Sequence, residues 1–487
     1  MKNKLIIFFL ILLISIFSIS IVDKAFQNDT FFTIAVGEKI INQGIYTDED
    51  FTWHEGLKYQ NVRWMFDVTI ANIYNSFGNS GIYIFVLLVT CLFGNVLFYI
   101  LYNQNKNIFI SFMYTLLAMY SAREMFAARA QLFSFFIFVL EYYFIYKLVI
   151  TNKKVYSILL LVLSILLANI HASVYPLFFV FYMPYIAEYV LSLFIKNDNE
   201  NTKVEIKRIN SFPLLFITLA VTAFGGFVTP IGLAPYVNMF KTVGEISSDI
   251  ISEMQPLVPI YELPFVLYIA IFIGIVGFTK IKVRIVDCFY LLGFLILSLS
   301  TIRSVFFFYL IGIFPIANIT AQVFNEYKGN IKINKFAEKA FFIIIYILIM
   351  CFSVNNFLSK VNEKYIDETA YPVDAAKFIL NNLDISKMKL YNHFNYGSYL
   401  ELEHIPVFLD SRAEIYLSTF NDTSVLEDYK AITSSDSEYK RLFNKYGVTH
   451  ALIYNNDVFS NNIYENPEWN LIYLDDNFSI YERIEKK

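Results

Sequence analysis

A succession of apolar runs, each close to the thickness of a hydrocarbon layer, constrains this chain more than any other feature. The runs fall at about residues 5–22, 81–101, 108–121, 132–150, 155–170, 174–195, 213–228, 264–278, 285–300, 305–323 and 340–354. A helix of roughly 20 such residues crosses a bilayer core. With 57% hydrophobic and only 16% charged residues over 487 positions, there is too little charge to cover one water-soluble core. The expectation is an α-helical polytopic membrane protein with about 11 transmembrane helices, followed by a small C-terminal α/β extracytoplasmic domain.

The first run sits behind Lys2 and Lys4 and is longer than the roughly 7–15 apolar residues of a secretory signal, so it reads as an uncleaved helix with its N-terminus inside. An odd number of spans then sends the C-terminus to the other side. The loops expected inside carry Lys106; Lys147, Lys153 and Lys154; Lys196, Lys203, Lys207 and Arg208; Lys280, Lys282 and Arg284; and Lys328, Lys332 and Lys335. That is the bias shown by cytoplasmic loops. The expected location is the cell membrane, multi-pass, with a cytoplasmic N-terminus and an extracytoplasmic C-terminal domain. A net charge of -4 gives no reason to expect nucleic acid as a partner. Cys91, Cys288 and Cys351 lie in apolar runs without CxxC spacing, which points to neither a disulfide framework nor zinc.

The domains read as a transmembrane module over residues 1–358, with long outside loops at 23–80 and 229–263, and an α/β domain over 359–487. Within the first loop, apolar groups three and four apart from Trp64 to Tyr74 suggest a helix along the membrane interface. In the last domain Pro372 suits the first turn of a helix. Strands are expected at 389–391, 407–409 and 449–454, with a closing hairpin of 471–474 and 479–483 around Asp475-Asp476-Asn477.

Ionisable side chains close to a membrane are costly and therefore informative. Taken singly each has a plain explanation: Asp29 caps a helix, Arg123, Arg129 and Arg303 snorkel to headgroups, His171 packs, and Glu253 is a loop carboxylate. Their convergence argues for more, because all six map to the outer face from separate parts of the chain. Carboxylates with Arg and His in one cleft have the chemistry to bind an anionic headgroup and deprotonate a hydroxyl.

Several segments also resemble a known family. Asn28-Asp29-Thr30-Phe31-Phe32-Thr33, then Gly37 and Gly44-Ile45-Tyr46-Thr47-Asp48, is similar to the first outside loop of bacterial polytopic glycosyltransferases of the GT-C class, relatives of the protein O-mannosyltransferases. Arg129-Ala130-Gln131-Leu132-Phe133-Ser134 resembles that group's Arg-Pro-Gln-Leu-Phe-Ser element, and Asn169-Ile170-His171-Ala172 its Asn-Leu-His-Gly element. Thr229-Pro230-Ile231-Gly232 and Glu253-Met254-Gln255-Pro256 resemble Asn-Pro-Tyr-Gly and Glu-Trp-x-Pro. In the tail, Asn395-Tyr396-Gly397-Ser398-Tyr399-Leu400 and Asp410-Ser411-Arg412-Ala413-Glu414-Ile415-Tyr416 look like Trp-Gly-Gly-Tyr-Leu and Asp-Gly-Arg-Ala-Asp-Leu-Tyr. Where the family often has His-Glu-Trp-Leu, this chain reads Val62-Arg63-Trp64-Met65, leaving that Glu's role vacant or taken by Asp67 or Glu55.

The resemblance implies transfer of a hexose or pentose from a polyprenyl-phosphate donor to a glycan, lipid or protein acceptor at the outer face, among membrane lipids. It implies Asp29 as the catalytic acid/base, and Arg123, Arg129, Gln131, His171, Glu253 and Arg303 as donor-phosphate or substrate contacts. Both a cleft in which Asp29 and Glu253 hold a divalent metal (Mg or Mn) and a metal-free cleft remain open. The competing readings are a non-catalytic scaffold that binds cell-envelope glycans, a lipid-linked glycan polymerase or ligase, and a transporter; the last would show paired repeats and mid-membrane charges.

Overall fold

A computed structural model describes residues 2–195, 203–242, 251–327, 335–434 and 438–484. Lys196, Lys328 and Lys332 of the basic loops, and positions 243–250 of the second long loop, lie outside the described residues. The chain divides into two compact units. One comprises Met1–Lys24, Tyr83–Tyr236 and Ile251–Glu363; the other comprises Ala25–Ile82, Val237–Ile250 and Lys364–Lys487. By contacts, then, the first long loop belongs to the same unit as the C-terminal residues.

The first unit is helical. Among the described residues, six helices are long and apolar enough to cross a membrane, Lys4–Ile21 and Ala130–Thr151 among them, and five apolar helices are shorter. At about 1.5 Å per residue, the 16-residue Ile285–Ser300 helix rises about 24 Å against a hydrocarbon core of roughly 30 Å. Two of the six have an irregular turn within them: Phe181-Tyr182 joins Leu177–Val180 to Met183–Phe194, whose first turn holds Pro184, and Gly312 joins Val305–Ile311 to Ile313–Tyr327.

Leu88, Phe224, Ile296 and Phe278 stand exposed on these helices. Such faces suit lipid, where backbone polar groups must be satisfied within each helix. The first and last apolar helices, Lys2–Ile21 and Lys335–Val361, lie side by side: Phe17 stacks on Phe352, Asn356 Nδ2 donates to the Ser20 carbonyl at 2.5 Å, and Lys360 pairs with Asp23 at 2.7 Å. Two short parallel strands, β1 (Val204–Glu205) and β2 (Val283–Arg284), tie two loops of this unit together.

The second unit is α/β. Strands β3 (Leu390–Tyr391), β4 (His450–Tyr454), β5 (Trp469–Leu474) and β6 (Phe478–Arg483) form one sheet in the order β3-β4-β6-β5. β3 and β4 are parallel, while β4–β6 and β6–β5 are antiparallel. The interior of β4, Ala451-Leu452-Ile453, is buried throughout, as a strand covered on both faces requires. The β5–β6 turn is closed by Asp475, whose Oδ1 accepts from the amides of Asn477 at 2.8 Å and Phe478 at 2.7 Å.

Residues 407–409 are not a strand of this sheet. Val407 is engaged by the first long loop instead, donating to the Phe51 carbonyl at 3.2 Å and accepting from the Trp53 amide at 3.3 Å. Pro372 precedes the Val373–Asn382 helix as its cap rather than occupying the first turn.

Candidate active site

Asp29 lies in the first turn of the Asn28–Gln43 helix, and its side chain is half-buried. That helix begins here because the chain turns from extended Gln27 into a run with a wide apolar face, in which Phe31, Phe32, Ile34 and Val36 are fully buried. Its start is anchored at three points. Phe26 donates its amide to the Tyr365 carbonyl at 2.8 Å, Asn28 Nδ2 donates to the Phe394 carbonyl at 3.1 Å, and Phe31 packs edge-on against Tyr371 and Tyr399.

Further along, Gly37 admits the helix that starts at Trp64: a Cβ at Gly37 would stand 2.1 Å from the Asp67 carbonyl oxygen. That second helix runs to a break at Gly78, where φ is 62°. Its N-terminal half is thus a packed element of the α/β unit, with Phe66, Asp67, Ile70 and Ala71 buried.

These contacts set the surroundings of Asp29. The Arg63 guanidinium lies 4.1 Å from the Phe32 ring centroid and within the electrostatic reach of Asp29. Arg63 stands at the position where the family resemblance left a Glu vacant, so a cation, not a carboxylate, sits there. Tyr371 also senses Asp29; burial pushes its phenol up, and the Asp29 carboxylate adds to the shift.

A second, fully buried cluster was not singled out by sequence reasoning. The Arg412 side chain has zero exposure and is surrounded by three carboxylates: Glu49 at 2.8 Å, Glu401 at 2.6 Å and Asp410 at 2.8 Å. The Tyr416 hydroxyl donates to Asp410 at 2.6 Å, and the rings of Tyr59 and Phe51 face the guanidinium at 5.0 and 5.1 Å. One cation cannot compensate three buried anions, so their protonation separates. Burial pushes Glu401 well above its ordinary range, and Glu49 upward, against the pull of Arg412. Burial works on Asp410 in the same sense, but the Arg412 charge and hydrogen bonds from Arg412, Glu401 and Tyr416 overcome it and hold Asp410 low.

Glu401 Oε2 has no partner as a bare carboxylate oxygen among the described residues; a proton on Glu401 supplies the donor toward Asp410. Arg412 therefore holds the first long loop against the tail. Trp53 Nε1 donating to the Leu390 carbonyl at 2.9 Å, and His54 Nε2 donating to the Phe408 carbonyl at 2.8 Å, reinforce that contact. Burial takes the His54 imidazole down to about 4, so the ring is neutral and keeps the proton that it donates.

The remaining candidates belong to the helical unit. Arg129 precedes the Ala130–Thr151 helix and grips Glu253 with both terminal nitrogens, at 2.8 and 3.4 Å. His171 ends the Lys154–Ile170 helix; its Nδ1 meets Ser134 Oγ at 2.7 Å, one turn into the helix that Arg129 opens. Arg303 lies in the short Ile302–Ser304 turn, where the Ile302 amide donates to the Gln255 carbonyl at 2.9 Å, two residues beyond Glu253. Asn169 Nδ2 donates to the Val228 carbonyl at 2.9 Å, fixing the start of the Thr229-Pro230 segment.

The structure thus draws the segments of Arg129, Glu253, His171 and Arg303 into one locale. Gln131, in the first turn of the Ala130–Thr151 helix, is partly exposed. Arg123 has a different setting: it donates to its neighbour Glu124 at 3.3 Å and to the Tyr120 carbonyl at 3.2 Å, and is substantially exposed.

Among the described residues, no group of three or more His, Cys, Asp or Glu is placed to hold a metal ion. Asp29 and Glu253 belong to different compact units, and each carboxylate has an arginine for company, Arg63 and Arg129 respectively.

No family model matches the sequence, and no curated protein matches it. Solved structures do resemble it in fold. The oligosaccharyltransferase of Archaeoglobus fulgidus in its apo form aligns with a TM-score of 0.61 at 10% identity, over 92% of this chain and 69% of that one. The same archaeal enzyme, AglB, in complex with an inhibitory peptide and a dolichol-phosphate, gives 0.61 at 10% identity with the same coverage. Its form tethered to an acceptor peptide containing the NVT sequon gives 0.58, again at 10% identity over 92% and 69%. The fold is therefore similar to that of a GT-C glycosyltransferase, over nearly the whole chain.

Proposed function

We propose that the chain is a membrane glycosyltransferase that moves a sugar from a polyprenyl-phosphate donor to an acceptor at the outer face of the cell membrane, as in the bacterial O-mannosyltransferase-like group that its motifs resemble. The observation that carries this reading is Asp29: a half-buried carboxylate on the first turn of a helix pinned by Phe26, Asn28 and Phe31, in a fold similar to that of an oligosaccharyltransferase solved with a dolichol-phosphate. A carboxylate so fixed accepts the proton of an acceptor hydroxyl or amide as the glycosidic bond forms, and the lipid phosphate departs with the bonding electrons.

The Arg129 group holds the donor. A guanidinium stays charged next to lipid and pairs with phosphate through two nitrogens, and the N-terminus of the Ala130–Thr151 helix adds partial positive charge. Glu253, gripped by Arg129, keeps the guanidinium aligned until phosphate replaces it. Arg303 contributes further positive charge, His171 orients the first turn through Ser134, and Gln131 offers an amide to the donor; Arg123 binds lipid headgroups.

Mass spectrometry of lipids co-purified in mild detergent tests the donor class. A polyprenyl-phosphate sugar bound to wild type and depleted by Arg129→Ala is the expected result, whereas bulk phospholipid alone in repeated preparations contradicts it.

A further inference from the structure

The helical unit holds a polar cavity of about 530 Å³ beside β1 and β2, lined entirely from that unit. It is separate from the Arg129 group, and the sequence expects its loops on the cytoplasmic side. Its volume falls in the range of small-molecule sites.

Three wall amides are only half satisfied, and one of them is Gln104, whose buried Nε2 has no partner among the described residues. Asn105 Oδ1 accepts from the Asn107 amide at 2.8 Å and from Ser111 Oγ at 3.0 Å, but its buried Nδ2 has no partner among the described residues. Asn318 Nδ2 donates to Gln104 Oε1 at 3.2 Å, while its Oδ1 is likewise buried without a partner among the described residues. A buried amide group without a partner is costly, so a donor and an acceptor presented to one cavity are best explained by a ligand that has both.

The charges sort in the same direction. Arg284 is neutralised by the fully buried Glu188 at 2.5 Å, and Lys207 is paired with Glu205 at 3.3 Å. That leaves Arg208 and Lys282, exposed and without an ion-pair partner among the described residues, against Asp287 in the wall. Two cations suit a phosphate. Asp287 and the Asn318 oxygen accept from hydroxyl groups, and the Asn105 amide donates to a phosphate or ether oxygen.

We propose that this cavity binds the phosphate of an anionic, hydroxyl-bearing headgroup, of the glycerol-phosphate type, at the basic end of the helical unit. The surrounding apolar helices offer a surface for acyl chains, so a membrane lipid is one source of that headgroup and a soluble phosphate ester the other. The inference does not depend on the transfer chemistry proposed above.

The test uses the full chain in nanodiscs of phosphatidylcholine doped with phosphatidylglycerol, with retained lipid read by native mass spectrometry. The comparison is between wild type and the double variant Arg208→Gln/Lys282→Gln, both positions being exposed and so harmless to folding. Expected is preferential retention of phosphatidylglycerol by wild type and a loss of about tenfold in the variant, at unchanged melting temperature.

Glycerol 3-phosphate as a soluble competitor separates the sources. Displacement of the lipid means that the phosphate ester suffices; retention of the lipid means that the acyl chains are required. Both outcomes support the site. Equal retention of phosphatidylglycerol and phosphatidylcholine, or a double variant that retains as much as wild type, overturns it.

Discussion

Arg412 Nη1 donates to Glu49 Oε2 at 2.8 Å, between two side chains of zero exposure that are 363 residues apart in sequence. Through this pair the loop that follows the first apolar helix and the C-terminal sheet become one folded unit. The helix that carries Asp29 therefore derives its rigidity from the tail. Removing one partner of a buried ion pair leaves an uncompensated charge and typically costs 3–5 kcal/mol.

Arg412→Met should therefore destabilise the α/β unit by about 3–5 kcal/mol. All three tryptophans, Trp53, Trp64 and Trp469, lie in this unit, so intrinsic fluorescence during denaturation reports it selectively. Glu49→Gln should cost less, because the guanidinium keeps Asp410 and Glu401.

Burial holds Glu401 and Glu49 above their ordinary value of 4.5. The folded state then retains protons that the unfolded chain has released, so stability falls as pH rises through the folded values. Glu401→Gln makes the neutral form permanent. Its melting temperature should be close to that of wild type near the ordinary value of 4.5 and should decline less than wild type as pH rises from there toward and past neutrality, as measured by tryptophan fluorescence across a pH series.

His54 behaves in the opposite sense. Its imidazole titrates near 6.5 when unfolded and at about 4 when folded, mainly because burial penalises the cation. The unfolded state binds the extra proton between those values, so this contribution to stability is intact above about 6.5 and is lost as pH falls toward 4. His54→Gln keeps a donor for the Phe408 carbonyl without titrating in that window, and should flatten this part of the acid limb.

At Gly37 the helix bearing Asp29 touches the Trp64 helix through backbone. Gly37→Ala places a methyl group 2.1 Å from the Asp67 carbonyl oxygen, and the helices must separate. A loss of about 1–3 kcal/mol is expected, with transfer activity falling further than stability alone accounts for because Asp29 moves with its helix. Denaturation and initial-rate measurements on the same preparation separate the two effects.

Much of this architecture was legible because it is local. The apolar runs, the continuous apolar interior of β4 and the β5–β6 hairpin around Asp475 are patterns within a few residues of each other. Glu49 with Arg412 was not legible, since nothing within either segment names its partner. Residues 407–409 read as a strand by their side chains, but the backbone of Val407 is engaged by Phe51 and Trp53, and the Phe408 amide and Leu409 carbonyl by the Asn392 side chain. The 64–74 segment is helical, as its periodicity suggests, and at Asp67 and Ala71 it is met by the helix containing Gly37. Arg129 and Glu253 were both singled out by their charge near lipid, and their contact is the part that only the fold supplies.

The most direct test of the account is Asp29→Asn, which keeps the shape of the side chain and removes its basicity. Purified protein in proteoliposomes, supplied with a radiolabelled polyprenyl-phosphate sugar and a membrane extract as acceptor, should lose transfer by about 10²- to 10⁴-fold. Expression level and tryptophan melting curve should remain those of wild type. Transfer at the wild-type rate by a folded Asp29→Asn protein would contradict the assignment of Asp29 as the catalytic base.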